Sequence, residues 1–424
     1  RKMTMTKRMT TNTRHHAVLA LVLAMASALP AGAAESGSLT LEQAISRALE
    51  RGPQMLGAAA DSVVADARLQ GARAWPSPTL DIASENVLGS GPFSGFDSAE
   101  TTIAIAQDLP LGGQRAAAVR SARAGQDAAA AQQQLARLAL RRDVTIAFAE
   151  AIAADRIAEI ARDRARIATE TRAATQQRLE AGLESELQRA RTEVATASAQ
   201  AASRRAASQA MIARRHLAQF WRDDIVSEPL DSSWFDAVGP ASETGVPLDS
   251  HPQRIKARHE LTRAQSQLAA ERARRIPVVT ATFGVRRFPE AVDGEDQAYV
   301  LGLSVPLPFG DRNAEGIADA RAQLLQAELA DEAALRDLRA TQASMSEELE
   351  AAMLEVRGLM EHGVPAAQSA AELAQRGHAA GRVPLEDRLS ADSALADERE
   401  KLVHARLAAH RARAALGSLV SGTD

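Results

Sequence analysis

Cysteine is absent from the 424 residues, aromatics make up only 3% of them, and there is a single tyrosine. Without cysteine there can be no disulfide and no lipid-modified thiol behind an export signal. Scarce aromatics beside abundant Ala, Arg, Gln, Glu and Leu disfavour a layered α/β enzyme core and favour long helices. Beyond Leu29 no apolar run approaches the roughly 20 residues that a transmembrane helix needs. A chain of this kind can enter a membrane only with strands, because backbone groups in lipid must be paired within helices or closed sheets.

The N-terminus carries the basic residues Arg1, Lys2, Lys7, Arg8 and Arg14, then the short apolar run Ala17 to Leu29, then small residues at Ala31-Gly32-Ala33. This pattern predicts a secretory signal peptide over residues 1–34, with the mature chain starting near Ala34. Its removal takes five positive charges and no acidic ones, moving the net charge from −4 to about −9. An acidic chain makes nucleic acid an unsuitable partner.

The remainder repeats itself. ARAWPSPTLDI (72–82) aligns with ARRIPVVTATF (273–283), IAQDLPLGGQR (105–115) with LSVPLPFGDRN (303–313), and RLEAGLESEL (178–187) with GHAAGRVPLE (377–386). The order of parts is the same each time: helix, Pro, strand, loop, strand, Leu-Pro-x-Gly, very long helix, Gly, helix. A tandem duplication follows, with half-repeats over 35–225 and 249–424 and a connecting segment over 226–248.

Helical patterns run from Gln114 to about Ala181 and from Asn313 to about Ala380, with Pro365 as the one interruption by proline. Roughly 68 residues at 1.5 Å each make a column of about 100 Å, far beyond a globular helix. Shorter helices are expected over about 40–73, 184–221, 249–275 and 384–419; two of these end to end match one long one. Apolar residues recur at three- and four-residue steps but are interleaved with Ala, which suits close antiparallel packing.

Between the prolines the pattern changes to alternation. In VVTATFGVRRF (278–288), Val279, Ala281, Phe283 and Val285 oppose Thr280, Thr282, Gly284 and Arg286; in AYVLGLSV (298–305), Tyr299, Leu301, Leu303 and Val305 form one face. TLDIASEN (79–86) and ETTIAIAQDL (100–109) place Leu80, Ile82, Ile103 and Ile105 on the apolar side and Asp81, Glu85, Thr102 and Ala104 opposite. Alternation alone fits a half-buried soluble sheet as well as transmembrane barrel strands. Four strands cannot close a barrel, since closed barrels begin at about eight, so closure requires further subunits. A cyclic trimer supplies twelve strands above a helical barrel. Each Leu-Pro-x-Gly then marks a corner where a strand bends into a long helix: Pro110 and Pro308 end the ladder, and Gly112, Gly113 and Gly310 supply the unusual backbone angles. Pro76 and Pro277 mark the reverse corners.

The stretch ASENVLGSGPFSGFDSAETTIAIAQDLPLGGQR (83–115), together with LSVPLPFGDRNAEGI (303–317), resembles the TolC-like outer-membrane efflux channels, most of all the cobalt-zinc-cadmium, CzcC-type branch. The resemblance runs from Leu41 to about Leu419. It implies a mainly α fold with a small β part, in which long antiparallel coiled-coil helices form an α-barrel and four transmembrane strands per chain complete a trimeric 12-stranded β-barrel. It further implies location in the cell outer membrane with a large periplasmic part, docking on a periplasmic adaptor protein and an inner-membrane RND pump, and passive export of substrates, heavy-metal cations above all. Drug efflux, type I protein secretion and a pore-free coiled-coil scaffold are the alternatives.

The family's tip motif carries over onto Gly381, Pro384 and Asp387, and onto Gly182 and Ser185, although Gln188 stands where an acid is common. The resemblance makes these turns the partner-docking tips and Asp387 a gate candidate. The physical alternative for Asp387 is an ordinary first-turn acid favoured by the helix dipole. Ser390 occupies the place of the usual second acid, with Asp392 beyond it. The histidines form no HxH or HExxH pattern and GSGPFSGF (89–96) lacks the Lys of a phosphate loop, so no metal site, cofactor or catalytic constellation is expected.

Overall fold

The computed structural model describes residues 37–96, 98–238, 248–288, 296–307, 310 and 312–420. The expected signal peptide, Pro308 and residues 239–247 of the connecting segment lie outside them. From Leu39 onward the chain forms one compact unit.

Helix α1 (Leu41–Arg51) opens on a capping box: Thr40 accepts from the Gln43 N–H while the Gln43 side chain reaches back to the Thr40 N–H. The single helix expected over 40–73 is in fact two. Gly52 precedes Pro53 and is extended, at φ −65° and ψ 133°, because the proline ring disfavours a helical residue before it; α2 (Pro53–Arg73) then restarts with Pro in its first position. Next come β1 (Thr79–Glu85), a 3-10 turn at Gly91–Phe93 in the expected loop, β2 (Glu100–Leu109), α3 (Gln114–Glu180) and α4 (Glu186–Gln219).

The connecting segment holds the short α5 (Ser233–Asp236). The second half repeats the order with α6 (Pro252–Ala273), β3 (Val279–Phe288), β4 (Asp296–Ser304), α7 (Ala314–Gly358), α8 (Val364–Ala379) and α9 (Leu385–Val420). Its long helix differs from the expected unbroken column. A π turn at Leu359–Gly363 separates α7 from α8, and the Val364 N–H reaches back five residues to Leu359 O. Pro365 has no N–H to donate and its ring crowds the preceding turn, so the helix widens just ahead of it. The 67-residue α3 has no such interruption.

Alanine dominates the contacts along the columns. Ala158 and Ala161 of α3 meet Ala206 and Ala210 of α4, all buried, and side chains this small permit close approach of the helix axes. The large side chains gather instead at mid-height, where Phe148, Ile152, Leu217, Trp221 and Phe235 are fully or almost fully buried with Leu39 and Leu140. Each contributes about 1.5–3 kcal/mol of burial. The connecting segment is stitched onto this cluster. Leu39 bridges Leu230, and Arg214 donates to Asp155 at 2.7 Å and to the carbonyls of Val226 and Glu228.

The four strands form one antiparallel sheet in chain order, β1-β2-β3-β4. Its central pair, β2 with β3, joins the two halves, with Ile105 opposite Phe283 and Ile103 opposite Val285.

Candidate functional site

The register sorts every sheet residue onto one of two faces. On one lie Leu80, Ile82, Ile103, Ile105, Phe283, Tyr299, Leu301 and Leu303, all exposed, Leu301 to 80% and Tyr299 to 79%. From Val279 to Val285 this apolar band runs about 20 Å along the strand at about 3.3 Å per residue, close to the ~25 Å band of outer-membrane barrels. The other face carries Asp81, Thr102, Ala104, Ala106, Thr280, Thr282, Gly284 and Arg286, and here Thr102, Ala104 and Ala106 are buried. A Cβ on Gly284 would lie 2.6 Å from that of Ala104. The small residues therefore sit on the crowded, concave side: the sheet curls with its polar face inward and its apolar face outward.

Arg286 spans three strands on the concave face. Its guanidinium pairs with Glu85 of β1 at 2.9 Å and Glu100 of β2 at 3.2 Å, while Nε donates to Thr102 Oγ1 at 2.9 Å. Asn86 donates to Glu100 as well, at 3.3 Å. The sequence placed Arg286 on the polar side, but only the register reveals its partners.

Pro76 lies between α2 and β1, Pro110 directly follows β2, and Pro277 lies between α6 and β3. Gly113 takes φ +78° as the cap of α3, and Gly310 takes φ +146°. Gly112 serves for a different reason from the one expected. It adopts no left-handed angle; instead a Cβ there would come within 2.8 Å of Ile276 Cβ and 2.9 Å of Ala273 O. Asn313, at φ 59°, caps α7 and donates through Nδ2 to the Glu271 carbonyl and carboxylate, both at 2.8 Å. Gln114 donates to Ile276 O at 2.8 Å. Both strand-to-helix corners thus clamp onto the C-terminal end of α6. Arg115 adds a hydrogen bond to the Arg73 carbonyl and stands 4.9 Å over the Trp75 ring, a cation–π contact.

The two tip turns share one construction. Gly182 and Gly381 take φ +73° and +70°. Each donates to the carbonyl three residues back, and the following residue donates five back: Leu183 to Arg178 O at 2.8 Å, Arg382 to Gly377 O at 2.9 Å. This Schellman geometry satisfies the last carbonyls of the arriving helix and reverses the chain. Ser185 then caps α4 by accepting from the Gln188 N–H at 3.3 Å. Pro384 takes the corresponding place before α9, where its carbonyl accepts from the Arg388 N–H, and the His378 ring nitrogen Nδ1 donates to Val383 O at 3.0 Å.

Asp387 is exposed in the first turn of α9 and has no ion-pair partner among the described residues. Its neighbours do. Glu386 pairs with Arg191 of α4 at 3.2 Å, and Arg164 of α3 binds Ser393 Oγ at 2.5 Å and Asp397 at 3.4 Å. Asp392 faces a cleft of about 390 Å3 between α3, α4 and α9. Burial pushes its carboxyl up, opposed by Arg388 at 3.7 Å. Among the described residues there is no cluster of three or more metal-ligating side chains and no helix long and apolar enough to cross a membrane.

The pattern of the family described as outer membrane efflux protein matches residues 44–221 and again 248–422. The nickel-cobalt-cadmium resistance protein NccC of Alcaligenes xylosoxydans is 30% identical over 309 residues, 73% of this chain and 69% of its own. The cobalt-zinc-cadmium resistance protein CzcC of Cupriavidus metallidurans is 28% identical over 365 residues, 85% of this chain and 84% of its own. Among solved structures, CusC superposes with a TM-score of 0.76 at 16% identity, covering 90% of this chain and 92% of its own. The outer membrane protein VceC of Vibrio cholerae superposes at 0.71 and 21%, covering 89% and 95%. The twofold match, the relatives and the shared fold together identify the chain as a member of the outer membrane efflux protein family.

Proposed function

We propose that the protein is the exit duct of a tripartite efflux assembly, in which three copies close a 12-stranded barrel in the outer membrane above a periplasmic helical tunnel. The observation that carries this reading is the curled sheet with an apolar outer face, a polar inner face and two open edges; lipid tolerates neither the edges nor an unclosed polar face. Cyclic repetition of the chain removes the edges. The cargo is divalent transition-metal cations, a reading supported by relatives named for resistance to nickel, cobalt, zinc and cadmium. The polar inner face offers a passive aqueous path rather than a chelating site. The tip turns at Gly182–Ser185 and Gly381–Pro384 are the docking ends for a periplasmic adaptor, which in turn meets an inner-membrane RND pump. Asp387, exposed at the tip, gates the entrance by its charge.

The test combines mass and conductance of the purified mature chain. A trimeric mass in detergent and discrete cation-selective steps in planar bilayers are expected, and Asp387→Ala should change step size or selectivity. Steps indifferent to that substitution would retain the duct and remove the gate assignment. A mass other than trimeric would bring the pore reading down. For the cargo, the chain should restore cobalt, zinc or cadmium tolerance to a strain that has the matching pump and adaptor but lacks the duct; failure with all these metals removes the metal reading.

A further inference from the structure

Resting on the duct reading, we infer that Arg286 sets the ion selectivity of the barrel section, by holding in check the negative charge of the inner wall. The concave face carries five carboxylates, on Asp81, Glu85, Glu100, Asp108 and Asp296, and Arg286 is its one cation among the described residues. The arginine stands near the rim of the sheet, at the row of Ala83, Thr102 and Ala298. Its forked guanidinium contacts two of the five acids at once, Glu85 at 2.9 Å and Glu100 at 3.2 Å, and offsets one of their two charges. The Thr102 hydroxyl fixes the plane of the fork.

Two features separate this arrangement from an incidental surface pair. Arg286 lies on β3 of the second half-repeat and its three partners on β1 and β2 of the first, so the geometry exists only when β2 and β3 are in register. The remaining carboxylates have no such cation: Asp108 accepts a hydrogen bond from the Thr280 hydroxyl at 2.7 Å. At the rim the arginine stands against three acids, Glu85, Glu100 and Asp296, which leaves the same net charge per chain as the two acids Asp81 and Asp108 on the side of the helices; without Arg286 the rim would be the more acidic part of the wall. In a closed trimer the rim would hold three arginines and nine carboxylates, and its charge determines which small ions partition into the last part of the path. An acidic wall with a partly neutralised exit admits divalent cations without a deep trap at the mouth.

Arg286 is a specificity-determining residue on this account, and the measurement is the reversal potential of the purified full-length mature trimer in planar bilayers under a KCl gradient. Arg286→Gln is expected to raise the K+/Cl− permeability ratio by about two- to threefold, the factor that follows when three lost charges shift the local potential by about half a kT per unit charge, since the cation gains and the anion loses by the same factor. Glu85→Gln with Glu100→Gln should lower the ratio, and Arg286→Lys, which keeps the charge but not the fork, should stay near the wild type. If Arg286→Gln fails to assemble as a trimer, the glutamine pair carries the same test with the opposite sign. An unchanged ratio in correctly assembled, conducting Arg286→Gln and glutamine-pair trimers overturns the inference and leaves the duct reading intact. A trimeric wild type without conducting steps overturns the duct reading and the inference with it.

Discussion

His410 lies where α9 passes the connecting segment. Its Nε2 donates to Phe235 O at 3.0 Å, its ring stands 4.1 Å from that of Trp234, and Nδ1 is buried without a hydrogen-bond partner among the described residues. Burial pulls its pKa below the usual histidine value, and the positive charges of Arg413 and Arg406 push in the same direction. The folded chain therefore holds the neutral ring more strongly than the unfolded chain does. This contribution to stability is fully present above about pH 6.5 and is lost as the pH falls from there through the lowered folded value. His251, lowered by burial, acts with the same sign. Thermal unfolding of the detergent-solubilised protein should show a smaller loss of Tm between about pH 7.5 and pH 5 for His410→Gln than for the wild type; equal losses would assign the acid sensitivity elsewhere. Nothing in the sequence marks His410, because its partners lie some 175 positions away. The first-turn place of Asp387 was legible, since an acid in a first helical turn is a local pattern, whereas the half-burial of Asp392 depends on packing between α3, α4 and α9.

The elements follow the sequence closely where local chemistry controls them and depart from it where proline does. Strand positions came from period-two alternation, and both tip turns came from a Gly after a long helix. The break at Gly52–Pro53 was there to be read in the Gly-Pro pair, yet helical periodicity on both sides masked it. The π turn before Pro365 is the opposite case: a proline that widens a helix without ending it, since the surrounding α9 contacts hold the column together. Left-handed glycines at the tips lead to a quantitative expectation. Gly381→Ala should cost about 1 kcal/mol locally through its positive φ, visible as a roughly fivefold rise in amide exchange around residues 376–388, with the sheet unaffected. Exchange unchanged at the tip would mean that the turn is held by tertiary contacts instead.

At the scale of the whole molecule, the exposed apolar face gives two further expectations. Leu301→Arg puts a charge on the outward band and should cost about 2–4 kcal/mol in a bilayer, seen as loss of folded, membrane-inserted protein in a urea titration; a wild-type titration curve would mean that this face does not meet lipid. The duplication also specifies how copies join. Mapping Leu109 onto Leu307 and Pro76 onto Pro277 carries the β2–β3 register across to the next chain, and sets Leu303 opposite Ile82 of the partner subunit. Because the chain contains no cysteine, Leu303→Cys with Ile82→Cys should give an oxidant-dependent covalent ladder up to the trimer, and a shifted pair such as Leu303→Cys with Leu80→Cys should cross-link less. Closure rests on counting strands, since no local pattern encodes a neighbouring chain. The π turn acquires a mechanical meaning in such an assembly. Its three copies are compliant joints in three of the struts, while the 67-residue α3 columns beside them are stiff, so a torque applied at the tips is taken up unequally around the ring, by the jointed struts first.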